Sequence, residues 1–110
     1  MVAMMAGANF IKTSTGKETI NAKLVYGLVM TRSIRDFNRH SGLKVGLKPA
    51  GGLKSAQDAI EWVTLIRREL GSEWCQNTMF RIGASSMLAN IEKELWNITN
   101  SASTPQILSF

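Results

Sequence analysis

Cysteine is almost absent from this 110-residue sequence. Cys75 has no second thiol to pair with, which excludes an internal disulfide and a cysteine-built zinc site and fits a reducing compartment. Histidine is as scarce, and His40, without a second imidazole, gives no metal-binding pair, so no metal is expected. No apolar run is long enough to cross a bilayer, and the opening "MVAMMAGANF" lacks the basic start and extended apolar core of a secretory signal. The reading that follows is a soluble, cytoplasmic protein with no membrane partner. Acidic residues are outnumbered 8 to 13 by lysine and arginine, which leaves a formal charge of +5. That sign favours anionic partners, either phosphorylated metabolites or nucleic acid. The length sets a ceiling of one domain.

Within that domain, short apolar runs alternate with helical periodicity. Met1 to Ala6 reads as the last turn of a helix with Gly7 as its stop. Asn9 to Ser14 has strand character. From about Thr19 the residues Leu24, Val25, Leu28, Val29, Ile34 and Phe37 recur at helical spacing until Gly42. "LKVGLKPAGG" is a second short apolar run, closed by Pro49 and paired glycines. It is followed by Ser55 as an N-cap, Asp58 in the first turn, and a helix to Gly71. "FRIGASS" reads as a third strand, and Met87 to about Trp96 as a third long helix with Leu88, Ile91 and Leu95 on one face and Trp96 in a core or helix-packing role. This alternation predicts an α/β fold with parallel strands joined by right-handed crossovers.

The three strand ends are alike. "KTSTGK", "KPAGG" and "GASS" each put lysine, glycine or hydroxyl residues where a strand stops and a helix starts, the edge at which α/β folds bind ligands. Glycines let the backbone approach an oxyanion, and free amides at a helix start supply donors. The candidates for holding an anion are therefore Gly16, Gly51, Gly52 and Gly83, with Lys17 and Lys54 adding charge and Ser85 and Ser86 adding hydroxyls. Each loop taken singly also reads as an ordinary capped turn. Lys12 and Lys48 differ from the other lysines because each ends an apolar strand, behind Phe10 and Ile11 in one case and Val45 and Leu47 in the other. Desolvation and a neighbouring ammonium both disfavour a charged amine, so a lysine in such a place can act as a nucleophile toward a carbonyl. The alternative is that both lysines snorkel to the rim or pair with a carboxylate.

Taken together, "FIKTSTGK", "KPAGG" and "RIGASS", in this order and at these separations, resemble the C-terminal part of deoxyribose-phosphate aldolase. The resemblance runs from about Ala6 to Trp96. It implies the last three β/α units, strands six to eight, of a TIM barrel and a class I aldolase that needs no metal or other cofactor. Such an enzyme splits 2-deoxyribose 5-phosphate into glyceraldehyde 3-phosphate and acetaldehyde. It places the Schiff-base lysine at Lys12 and a second, activating lysine at Lys48. The phosphate loops fall at Gly16, Lys17, Gly51, Gly52, Lys54, Gly83, Ser85 and Ser86. Residues 1–96 would then be barrel and residues 97–110 a polar tail.

The sequence also departs from the family pattern. Asn9 stands where an aspartate is common, and Lys54 stands where an arginine, with its bidentate fork, is often seen. Some members end in a tyrosine that helps proton transfer, which has no counterpart here, since the only tyrosine is Tyr26, in a helix. A TIM barrel takes about 250 residues, so five units and the aspartate that relays protons lie outside this sequence. The expected partners are a phosphorylated sugar or aldehyde and, for completion, either further copies or the absent barrel units. A non-catalytic fragment that keeps phosphate binding or associates with the full-length enzyme is the alternative. A nucleic-acid interface would rest on charge alone, with Arg32, Arg35 and Arg39 more simply forming a solvated helix face, and no nucleic-acid partner is expected.

Overall fold

A computed structural model describes residues 1–14 and 22–101. Its elements are α1 (Val2–Met5), β1 (Phe10–Lys12), α2 (Leu24–Ser41), β2 (Gly46–Lys48), α3 (Ala56–Leu70), a 3₁₀ turn (Ser72–Trp74) and α4 (Met87–Ser101). The expected helix start at Thr19 falls outside the described residues; the described helix begins at Leu24. Gly42 stops it in the left-handed conformation at φ 74°.

β1 and β2 pair in parallel, with Phe10 opposite Gly46, Ile11 opposite Leu47 and Lys12 opposite Lys48. The expected third strand is not continuous. The segment after Met79 follows β2 in parallel through isolated bridges, Leu47 with Phe80 and Ala50 with Gly83. Leu47 N–H donates to Met79 O, Arg81 N–H to Leu47 O, and Gly83 N–H to Pro49 O. The next donor in that ladder would be residue 49, and proline has no N–H to give. Pro49 therefore interrupts the pairing while its carbonyl still anchors Gly83.

A period of two sorts the strand residues onto two faces. Ile11 and Leu47 point toward the helices, where Leu47, Ile34 and Ile66 are fully buried and Phe37, Trp62 and Met87 join them. Trp74 closes one end of this core, its indole N–H donating to Val45 O at 2.9 Å. The opposite face carries Phe10, Lys12, Gly46 and Lys48, and the Arg81 guanidinium lies 4.8 Å from the centre of the Phe10 ring.

α3 begins as expected. Ser55 Oγ accepts from the Asp58 N–H while the Asp58 carboxylate accepts from the Ser55 N–H, a reciprocal capping box. Arg32 and Arg35 do not simply face solvent, since both reach Glu69 of α3, at 3.6 and 3.4 Å. They tie α2 to α3.

α4 continues through Asn97 to Ser101, past the expected end at Trp96. Trp96 is 66% exposed, against its expected role in core or helix packing, and Leu88 and Leu95 are exposed with it. Val25 and Val29 of α2 are exposed too. The helical spacing of these residues marks apolar faces that the described part of the chain leaves uncovered.

Candidate active site

Because the register puts Lys12 beside Lys48, the two strand-ending lysines are neighbours on one face of the sheet. Together they line a cleft of about 340 Å³. Gly51, Gly52 and Lys54 form one wall of it, and Gly83 and Ser85 form another. The structure thus brings together seven of the ten residues singled out from the sequence. Ser86 stands next to this wall without lining the cleft, its carbonyl accepting from Asn90 N–H at 3.1 Å. Gly16 and Lys17 lie outside the described residues.

The loop after β2 is built from backbone that only glycine accepts readily. Gly51 and Gly52 have φ of 93° and 75°, so two successive residues are left-handed, and the peptide groups there can be offered to a ligand without a Cβ in the way. Gly83 is needed for a different reason. A Cβ there would sit 2.9 Å from Ala50 Cβ and 3.2 Å from Lys48 Cε, so its absence makes room for the Lys48 side chain.

Hydroxyls from the segment after β1 fix the same loop. Thr13 Oγ1 lies 2.9 Å from both the N and the O of Ala50, and Ser14 Oγ also donates to Ala50 O. Ala22 N–H donates to Gly51 O at 3.2 Å. These bonds lock the two lysine-bearing strands at equal height.

The electrostatics of the cleft are one-sided. Lys12, Lys48 and Lys54 line it, and among the described residues no carboxylate does. Asp58 lies just behind Lys54, turned to the backbone. The Lys54 N–H and then the Ser55 N–H donate to its carboxylate, holding it below its usual value. Lys48 is half-buried, whereas Lys12 is exposed. The dry surroundings expected for both lysines are therefore only partly supplied by the described residues. No group of three or more histidine, cysteine, aspartate or glutamate residues suited to a metal occurs among the described residues, and no described helix is long and apolar enough to cross a membrane.

Three contributors were not singled out from the sequence. Thr13 and Ser14 sit in a motif already under suspicion, and their hydroxyls were the available signal. Asn90, whose Nδ2 donates to Lys54 O at 2.7 Å across 36 positions of chain, left no local trace.

The comparisons with known proteins bear out the resemblance carried by the three motifs. The chain is 57% identical over 97 residues to a deoxyribose-phosphate aldolase of Bos taurus and 54% identical over 97 residues to that of Homo sapiens. Each match covers 88% of this chain and 30% of the relative, so the chain spans under a third of the length of these curated relatives. No family model matches. Among solved structures, a Toxoplasma gondii protein described as a candidate deoxyribose-phosphate aldolase superposes with a TM-score of 0.67 at 21% identity. It covers 86% of this chain and 37% of its own. At that identity the likeness speaks for the α/β fold alone.

Proposed function

Since this chain is homologous over 88% of its length to deoxyribose-phosphate aldolases, we propose that it carries the Schiff-base portion of such an enzyme's site. In this reading its described elements, through α4 to Ser101, are the last three β/α units of a TIM barrel. The substrate is 2-deoxyribose 5-phosphate and the products are glyceraldehyde 3-phosphate and acetaldehyde. The observation that carries the reading is the pairing of Lys12 with Lys48 at the mouth of a cleft walled by glycines, Lys54 and Ser85.

The chemistry follows from that placement. The unprotonated Lys12 amine attacks the aldehyde carbon of the open-chain sugar, and loss of water from the carbinolamine leaves a protonated imine. That cation withdraws the electron pair released when the bond between carbons two and three breaks, as the carbon-three hydroxyl gives up its proton to become the aldehyde of glyceraldehyde 3-phosphate. The enamine left on Lys12 is then protonated at carbon two, and water adds to the imine to release acetaldehyde and return the amine. Lys48, opposite Lys12 in the register, brings a second cationic side chain to the same face of the cleft, beside the carbonyl that Lys12 engages. The phosphate is held by Lys54 and by backbone N–H groups of Gly51, Gly52 and the Ser85 segment, with Gly16 and Lys17 assigned to the same task by the motif. The proton relay comes from a carboxylate supplied by the remaining barrel units, since none lines the cleft among the described residues. The chain works in the cytoplasm and uses no cofactor.

A second reading is favoured by the exposed apolar faces of α2 and α4. In it the chain keeps the phosphate cleft, lacks turnover, and associates with the complete enzyme or its barrel units. Reductive trapping with 2-deoxyribose 5-phosphate, read by peptide mass spectrometry, tests the first reading. A sugar-phosphate adduct on Lys12 that inorganic phosphate suppresses supports it. Indiscriminate labelling of surface lysines refutes it, and an adduct without release of acetaldehyde favours the second reading.

A further inference from the structure

We infer that Asn90 is a positioning residue for the anion-holding loop, acting through the backbone of Lys54. This rests on the reading of the cleft as a phosphate site and adds to it the device that holds the glycine-built wall of that site. The loop after β2 has two successive left-handed glycines, the residues with most backbone freedom to lose, and it ends in a long lysine side chain. Something must fix the end of that loop if Lys54 and the glycine amides are to meet one anion.

The Lys54 peptide groups are held from two sides. Its N–H donates to Asp58 Oδ2 in the first turn of α3 at 2.9 Å, and its C=O accepts from Asn90 Nδ2 in the first turn of α4 at 2.7 Å. The second bond is the one that matters for the cleft, because α4 directly follows Gly83, Ala84 and Ser85, which form the facing wall. Asn90 therefore sets the distance between the two walls. It also occupies the Lys54 carbonyl, whose partial negative charge would otherwise be free beside an incoming anion. The residue type fits the task, since a carboxamide donates to a carbonyl whereas an ionised carboxylate of the same shape cannot.

The test titrates inorganic phosphate into the wild-type chain, Asn90→Leu and Asn90→Gln, with binding followed by amide NMR shifts. In parallel, the rate of borohydride trapping of acetaldehyde at Lys12 and the unfolding midpoint are measured. Loss of one positioning hydrogen bond predicts phosphate binding weakened about three- to tenfold in Asn90→Leu. The trapping rate changes less than about twofold, since acetaldehyde carries no phosphate, and Asn90→Gln recovers most of the affinity. Unchanged phosphate binding in Asn90→Leu overturns the inference. So does a parallel fall in binding, trapping rate and unfolding midpoint, which marks a merely structural role. Absence of phosphate binding by the wild-type chain overturns the phosphate reading itself, and this inference with it.

Discussion

Replacing Gly83 by alanine adds a single methyl group against two residues that line the cleft with it, Ala50 and Lys48. The new Cβ would lie 2.9 Å from Ala50 Cβ and 3.2 Å from Lys48 Cε. The lysine carbon belongs to a flexible chain and can swing away. Ala50 cannot move as easily, because its peptide is held by Thr13 Oγ1 on both N and O and by Ser14 Oγ. Two consequences follow. The segment after Met79 must back away from β2, stretching the 2.8 Å bond from Gly83 N–H to Pro49 O. An overpacked contact of this kind costs about 1–3 kcal/mol. In a domain of this size that lowers the melting temperature by roughly 4–8 °C for each kcal/mol. The Lys48 ammonium is also displaced from its place beside Lys12, so trapping of acetaldehyde slows. A Lys48→Ala background removes one of the two close contacts, so Gly83→Ala should cost less stability there than in the wild-type chain. Thermal unfolding followed by circular dichroism, combined with timed borohydride trapping, reads both effects. A Gly83→Ala chain with wild-type melting and wild-type trapping refutes the packing on which the site is built.

Trp74→Phe keeps an aromatic ring but removes the indole N–H that Val45 O accepts at 2.9 Å. A buried carbonyl left without a donor costs about 1–3 kcal/mol, so the urea midpoint should fall measurably, and an unchanged midpoint counts against that bond. The Asp58 carboxylate is held below its ordinary value of 3.8, first by the Lys54 N–H and then by the Ser55 N–H. A group whose folded value is depressed contributes stability that is present above its unfolded value and lost as pH falls through the folded one. The melting temperature of the wild-type chain should therefore fall more steeply between roughly pH 5 and pH 3 than that of Asp58→Ala. Equal slopes would show that these bonds do not favour the ionised form.

Much of this architecture was legible because it rests on local rules. Gly7 and Gly42 stopping helices, the Ser55 and Asp58 cap, and the lysine-ended strands all express preferences readable over a few residues. The break in the third strand was not legible as such, although Pro49 was in view. Its effect appears only once Gly83 is known to pair across it. The apolar spacing of α4 gave the right helix and the wrong environment, because periodicity says which residues share a face but not whether anything covers it. Trp96 is the clearest case. The exposure of Lys12 has the same origin, since a strand residue's burial depends on what lies across the sheet. The contact of Asn90 with Lys54 depends on two helix starts meeting in space, and no spacing along the chain announces it.

The central claim is that Lys12 and Lys48 form one reactive unit, and reductive trapping with acetaldehyde tests it most directly. The intact chain and its peptides are weighed after borohydride treatment of wild type, Lys12→Ala and Lys48→Ala. The account predicts a two-carbon adduct on Lys12, absent in Lys12→Ala and strongly reduced in Lys48→Ala. Equal labelling of many lysines, or Lys12 labelling that does not depend on Lys48, would contradict it.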